Sequence, residues 1–169
     1  SWGCTRRYAA FISHYKAETA SLARYLHDLL RKMVREPVYL DSSTLTDLRT
    51  LFEDGIECSE VVVLICSAGV LTRPWCLLEL YEAHLHQLPV VLLVVENGGF
   101  DLDRGLAFVQ SLETDLEVLN PGALATIEAH LYTTGTSLAD FKAGVLSALE
   151  AVAQADGGRR VVWHPWGSD

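Results

Sequence analysis

The sequence predicts an α/β fold built on a doubly wound parallel sheet, because strand-like apolar runs alternate with amphipathic helices. Residues 61–66 and 89–95 show no alternation of polar and apolar side chains, which is typical of strands buried on both faces of a parallel sheet. Four β-α units follow one another, and right-handed crossovers between them would place helices on both faces. We therefore expect a flavodoxin-like architecture with strand order 2-1-3-4, or 2-1-3-4-5 if a fifth strand is added.

The first β-α-β unit occupies the beginning of the chain. Residues 8–13 are predicted to form the first strand, and an apolar stripe with helical spacing predicts a helix over residues 17–33. The stripe consists of Leu22, Leu26, Leu29, Leu30 and Met33. Pro37 ends this helix, and residues 38–41 are predicted to form a short second strand.

The next unit leads into the strand at the centre of the predicted sheet. A polar loop at residues 42–46 precedes a second helix with one apolar face, formed by Leu48, Leu51, Phe52 and Ile56. After the strand at residues 61–66, Pro74 suits the first position of a third helix, where a missing N–H costs nothing. Thr72 is expected to cap that helix.

Helical patterns dominate after the fourth strand, at residues 106–119, 123–131 and 137–153. A fifth strand is expected to be short or irregular, near Val118 or Leu131. Two glycines at 157–158 mark a predicted boundary, so we expect one domain over residues 1–156. Residues 157–169 are then a C-terminal extension or linker, in which residues 159–169 form either an added edge strand or the start of a linker.

Composition limits the classes of partner. The formal net charge is −9 with a pI near 5.0, which argues against non-specific binding to nucleic acid or to anionic membranes. No apolar run reaches the ~18 residues of a membrane span, and the first residues lack a signal-peptide pattern, so we expect a cytoplasmic protein. The cysteines lack metal-ligand spacing and are expected to be reduced and buried. They are Cys4, Cys58, Cys66 and Cys76.

One narrow face of the third helix carries a tryptophan and two carboxylates. At 100° per residue this face holds Trp75, Glu79, Glu82 and His86. Its first turns follow the carboxyl end of a parallel strand, where open α/β sheets bind ligands. The alternative interpretation is a solvated helix face, with Glu82 and His86 forming an ordinary surface pair.

The predicted topology also indicates at which edge of the sheet each basic residue lies. Arg6 and Arg7 precede the first strand and are expected at the amino edge, whereas Lys16, Arg49 and Arg73 follow strands and are expected at the carboxyl edge. The start of the first helix, at residues 14–16, adds free backbone N–H groups that suit phosphate. Each cation alone is typical of a solvated charge, and only their convergence with Trp75 and Glu79 favours a site.

Three segments in this order resemble the Toll/interleukin receptor (TIR) domain. They are Phe-Ile-Ser-His at residues 11–14, the apolar strand within residues 59–67, and Arg-Pro-Trp-Cys-Leu-Leu-Glu-Leu at residues 73–80. The last is similar to the family's Ser-x-Trp-Cys-x-x-Glu-Leu motif. One departure is in the loop at residues 42–48, where Leu45 stands at the position of the family's glycine.

The resemblance implies one of two functions. Some TIR domains cleave NAD+, and in those members the glutamate of the Trp-x-x-x-Glu spacing is catalytic, which corresponds here to Glu79 with Trp75 as the stacking partner. Further substrate contacts are expected from residues at the carboxyl edge, namely Ser13, His14, Tyr15, Lys16, Asp41, Ser42, Ser67 and Arg73. A carboxylate beside the ribose would stabilise an oxocarbenium-like transition state. NAD+ is then the substrate, and no metal or other cofactor is expected.

We therefore expect an NAD+ nucleosidase that releases nicotinamide and forms ADP-ribose or a cyclic isomer, in immune or cell-death signalling. The alternative is a non-catalytic signalling scaffold that assembles with other TIR domains. The expected partners are NAD+ and further copies in a homo-oligomer, without nucleic acid or membrane. Weaker alternatives are a nucleoside-transferring enzyme and a phosphoacceptor receiver, for which Asp41 alone does not supply the acidic cluster.

Overall fold

The five strands that the structure describes form a parallel sheet. A computed structural model describes residues 6–40, 51–155 and 159–164. Its strands have the order β2-β1-β3-β4-β5, and each neighbouring pair runs in the same direction. The strands are β1 (Ala10–Ser13), β2 (Val38–Leu40), β3 (Val62–Cys66), β4 (Val90–Val95) and β5 (Arg160–Trp163). The predicted fold class and the predicted order are both confirmed.

The described part of the chain contains six α-helices. They are α1 (Lys16–Met33), α2 (Pro74–Leu85), α3 (Leu102–Gln110), α4 (Leu112–Leu119), α5 (Ala123–Thr134) and α6 (Leu138–Gln154). The single helix predicted over residues 106–119 is thus two helices that meet at Ser111. The second predicted helix is represented by a π-helical segment at Leu51–Ile56, and its beginning lies outside the described residues.

Both faces of the sheet are covered, which explains the uninterrupted apolar strands. Ile12, Ile65 and Leu93 point to the face on which α1 packs. The intervening strand residues, such as Leu64, point to the opposite face and contact the core formed with the other helices. Within the described residues, α1 is the helix that supplies the core of the first face, through Ala23 and Leu26.

The fifth strand is not where the sequence pattern placed it. Val118 is an exposed residue of α4, and Leu131 is a buried residue of α5. The strand is Arg160–Trp163, which pairs with β4 from Leu92 to Val95. Of the two alternatives for the segment after the glycine pair, the structure therefore has the added edge strand.

The cysteines differ in state. Cys66 and Cys76 are free and buried, as expected, and burial raises the pKa of the Cys66 thiol. Cys58 is disulfide-bonded, so the expectation of a reduced thiol is wrong at this position. Among the described helices, none combines the length and the apolar character needed to cross a bilayer.

Candidate functional site

The candidate site lies at the carboxyl edge of the sheet, where the strand order reverses between β1 and β3. Open α/β sheets bind ligands at such a switch point, because the two chain segments leave it in opposite directions. A cleft of about 170 Å³ opens there. It is lined by His14, Tyr15, Lys16, Arg73, Trp75, Cys76 and Glu79. The structure thus brings together six of the predicted site residues, and it adds Cys76, which the sequence analysis did not select.

The helix that carries Trp75 and Glu79 begins as predicted, but it is capped differently. Pro74 occupies the first helical turn, and Arg73 is the capping residue without a side-chain hydrogen bond to the helix. The predicted cap by Thr72 is wrong, because the Thr72 hydroxyl donates to the carbonyl of Gly69 at 2.7 Å. Thr72 instead closes the short 3-10 turn that leads to α2.

Glu79 is the buried carboxylate of the cleft. Its exposure is only 4%, and the hydroxyl of Ser13 donates a hydrogen bond to its carboxylate. The alternative interpretation, a solvated helix face, is therefore wrong for Glu79, since the end of β1 lies against this part of α2. A buried carboxylate requires such donors, because its charge has lost most of its water.

The rest of the predicted helix face is more open. Trp75 is half-buried and packs against the larger core. One turn beyond Glu79, Glu82 and His86 form the expected pair, with 3.5 Å between the Glu82 carboxylate and His86 Nε2. Burial nevertheless raises the pKa of Glu82, and this effect exceeds the opposing influence of His86.

The opposite wall of the cleft is the start of α1. The guanidinium of Arg73 lies 4.6 Å from the centre of the Tyr15 ring, which is the geometry of a cation–π contact. Cys76 Sγ donates to the carbonyl oxygen of His14 at 3.5 Å. These contacts hold the loops that follow β1 and β3 on either side of Glu79.

Comparison with known proteins agrees with this architecture. A sequence model of the TIR domain family matches residues 10–118, which is more than half of the chain. The chain belongs to the TIR domain family. A search of curated proteins found no match. Among solved structures, the TIR domains in the structure of the activated Roq1 resistosome directly recognizing the pathogen effector XopQ are similar in fold. They align with a TM-score of 0.57 at 17% sequence identity, over 90% of this chain and 87% of that chain.

The predicted anion-binding residues of this TIR domain fall into separate groups. Arg73 and Lys16 line the cleft, as their positions after strands predicted. Within the described residues, no hydrogen bond or ion pair engages the Arg73 guanidinium, which lies over the Tyr15 ring. Arg7 is at the amino end of β1, where it pairs with Asp54 at 3.3 Å. The predicted contacts from Asp41, Ser42 and Arg49 lie outside the described residues.

Ser67 is near the cleft but does not line it. Its hydroxyl donates to the carboxylate of Glu18 in the first turn of α1, and the Gly69 amide donates to the same carboxylate at 3.0 Å. Glu18 could not be selected from the sequence, because nothing local distinguishes it from other acidic residues in a first helical turn. In the part of the chain that the structure describes, no group of three or more His, Cys, Asp or Glu side chains could hold a metal ion.

Proposed function

We propose that this TIR domain is an NAD+ nucleosidase in which Glu79 is the catalytic residue. The observation that supports the proposal is the burial of this carboxylate in a cleft that also presents an indole and two cations. Burying a carboxylate costs free energy. Buried ionisable groups in clefts are therefore typical of functional sites, where the charge acts on a ligand. At 4% exposure Glu79 is such a group, and the cleft around it has the chemistry of a nucleotide site.

The reaction requires stabilisation of positive charge. The bond between ribose C1′ and the nicotinamide nitrogen breaks, nicotinamide leaves with the bonding electron pair, and the ribose becomes oxocarbenium-like. Glu79 would accept hydrogen bonds from the ribose hydroxyls and stabilise that charge electrostatically. Water then adds to C1′ and loses a proton, which yields ADP-ribose. If an atom of the adenine ring adds instead of water, the product is a cyclic isomer.

The other lining residues suit the remaining parts of NAD+. Trp75 offers a flat apolar surface for the nicotinamide ring. The Arg73 guanidinium lies over the Tyr15 ring, and those of its N–H groups that are directed away from the ring can donate to pyrophosphate oxygens. Lys16 and the first amides of α1 add positive charge on the same side, in a chain whose overall charge is −9.

The size of the cleft suggests that one chain holds only part of the substrate. Pockets that enclose a small ligand usually measure about 300–1,000 Å³, and this cleft measures about 170 Å³. A cleft of this size holds only part of NAD+, and we assign it the nicotinamide end because Trp75 and Glu79 line it. We propose that a second copy of the domain covers the adenosine half, in a homo-oligomer that forms or tightens with NAD+.

The proposed setting is signalling in the cytoplasm. The solved structure similar in fold contains TIR domains of a resistosome that recognises a pathogen effector. By analogy, we propose that assembly of this domain is coupled to an immune or cell-death response. NAD+ is the substrate in this proposal, and nucleic acid, membrane, metal and additional cofactors have no role.

The second candidate function is a non-catalytic TIR scaffold. Two features favour it: the small volume of the cleft and the fact that the Glu79 carboxylate already accepts a hydrogen bond from Ser13. In this case the Ser13–Glu79 contact would serve to join β1 to α2, and signalling would depend only on contacts between copies.

Release of nicotinamide from NAD+ by the purified domain separates the two candidates. The assay is run over a range of protein concentrations, because a site completed by a second copy would be inactive when dilute. Nicotinamide formation that rises with assembly supports the nucleosidase. A fully assembled domain that releases no nicotinamide supports the scaffold.

A further inference from the structure

Two serine–glutamate hydrogen bonds cross each other at the switch point of the sheet. Ser13 ends β1 and donates to Glu79, on the helix that follows β3. Ser67 follows β3 and donates to Glu18, on the helix that follows β1. Each strand end is therefore bonded to the helix that belongs to the other strand. The first bond includes the proposed catalytic residue, whereas the proposed mechanism leaves the second without a role.

The Glu18 carboxylate contacts two residues of the loop that follows β3. It accepts from the buried Ser67 hydroxyl and from the amide of Gly69, 3.0 Å away. The same carboxylate occupies the place of a side chain on Gly69, since a Cβ there would come within 2.7 Å of Glu18 Oε1. It would also lie 3.1 Å from Cε1 of Tyr15. Glu18, Gly69 and Tyr15 are thus packed together without space for another atom.

The packed residues are connected to the cleft through the chain that follows Gly69. After Gly69 the chain makes the short 3-10 turn Val70–Thr72 and then reaches Arg73, whose guanidinium stacks on Tyr15. Tyr15 immediately precedes α1, the helix that carries Glu18. The loop between β3 and α2 therefore contacts the start of α1 at two places: Gly69 bonds to Glu18, and Arg73 lies over Tyr15.

We propose that Glu18 is a positioning residue, which holds the loop after β3 so that Arg73 remains stacked on Tyr15 and can bind the pyrophosphate of the substrate. This proposal rests on the proposed function, because it assigns Glu18 to the affinity of the same site. It differs from the role of Glu79, because Glu18 lies outside the residues that line the cleft and acts through Arg73. Loss of Glu18 should weaken substrate binding and leave the chemical step nearly unchanged.

The test compares Glu18→Ala with Glu18→Gln in the whole chain. The glutamine oxygen can still accept from Ser67 and Gly69, whereas alanine removes both hydrogen bonds. We expect Glu18→Ala to raise the KM for NAD+ by about threefold to tenfold with kcat nearly unchanged, because the two lost hydrogen bonds act on the substrate only through the position of Arg73. Glu18→Gln should stay close to the wild type. Asp28→Ala, an exposed acidic residue of the same helix that pairs with His27, is the matched control and should change neither constant.

Amide hydrogen exchange supplies a measurement that does not depend on turnover. In Glu18→Ala the amide of Gly69 should exchange faster than in the wild type, while the amides of β3 keep their protection. Unchanged exchange at Gly69 would overturn the proposal. So would a fall in kcat at constant KM, because that result indicates fewer folded molecules rather than weaker binding.

The positioning role of Glu18 can also be tested if the domain proves not to be a nucleosidase. A wild-type chain that assembles but does not cleave NAD+ refutes the nucleosidase, and the binding of ADP-ribose, which contains the same pyrophosphate, then replaces KM in the comparison. Weaker binding of ADP-ribose by Glu18→Ala, restored in Glu18→Gln, supports the positioning role. A wild-type chain that binds no ADP-ribose overturns it together with the nucleosidase.

Discussion

Ser13 and Glu79 are 66 positions apart in the chain, and the hydroxyl of the first donates to the buried carboxylate of the second. This contact connects the end of β1 to α2 and fixes the orientation of the carboxylate in the cleft. It also changes how Glu79 must be tested, because a substitution here affects a buried polar contact and not a surface residue.

The Ser13 contact predicts a loss of stability. Ser13→Ala removes a donor from a buried carboxylate, and hydrogen bonds to charged groups contribute about 1.5–3 kcal/mol. We expect the free energy of unfolding to fall by an amount in this range, as measured by urea denaturation. Ser111→Ala is a suitable control, because the Ser111 hydroxyl bonds to Asp115 on the exposed side of α4. A loss no larger than that of the control would show that the Ser13 contact contributes little.

Arg73 should contribute to binding more than to turnover. In Arg73→Lys the charge remains, but the planar guanidinium that lies over the Tyr15 ring and carries several N–H donors is lost. We therefore expect a higher KM for NAD+ with a nearly unchanged kcat, and Arg73→Ala should show a larger increase. Arg104→Lys, at an exposed position of α3, controls for the general effect of replacing arginine. An Arg73→Lys variant with the wild-type KM would show that the guanidinium of Arg73 does not contribute to NAD+ binding.

Much of the fold could be predicted from the sequence, because the strands are recognisable without their partners. Residues 62–66 and 90–95 are continuous apolar runs, and their burial on both faces follows from that pattern alone. The convergence of His14, Arg73 and Trp75 was also predictable, since carboxyl ends of parallel strands meet at one edge.

The features that could not be predicted depend on contacts between residues that are distant in the sequence. The strand Arg160–Trp163 has four residues, three of them exposed, and its pairing with β4 is what defines it. The helical period placed Glu79 correctly beside Trp75, but it could not show that the end of β1 covers this face. Glu18 was missed for the same reason, because its partners Ser67 and Gly69 belong to another loop.

Assembly should control activity if a second copy completes the site. We expect turnover per chain to rise with protein concentration, and light scattering to show larger species when NAD+ or a non-cleavable analogue is added. The reason is that the cleft of about 170 Å³ is smaller than the dinucleotide that it must hold. A strictly monomeric protein with full activity would contradict this expectation.

His130 should make stability depend on pH. Burial lowers the pKa of His130 from 6.5, and its ring packs edge-on against Phe52 with centroids 5.3 Å apart. Below pH 6.5 the unfolded chain therefore binds more protons at this residue than the folded chain, so the folded state loses stability as pH falls towards the lowered pKa. His130→Gln should reduce this loss, measured as the difference in melting temperature between pH 7.5 and lower pH values. Equal pH dependence in the variant and the wild type would exclude His130 as a source.

The effect of Glu79→Gln on NAD+ cleavage tests the central claim most directly. Glutamine keeps the size of the side chain and an oxygen that accepts from Ser13, so the fold should persist, whereas Glu79→Ala would add a cavity and an unpaired hydroxyl. Glu82→Gln, one turn along the same helix and outside the cleft, is the matched control. We predict that Glu79→Gln lowers kcat by orders of magnitude while NAD+ still binds and Glu82→Gln remains active. A folded Glu79→Gln variant that releases nicotinamide within a few-fold of the wild-type rate would contradict the account.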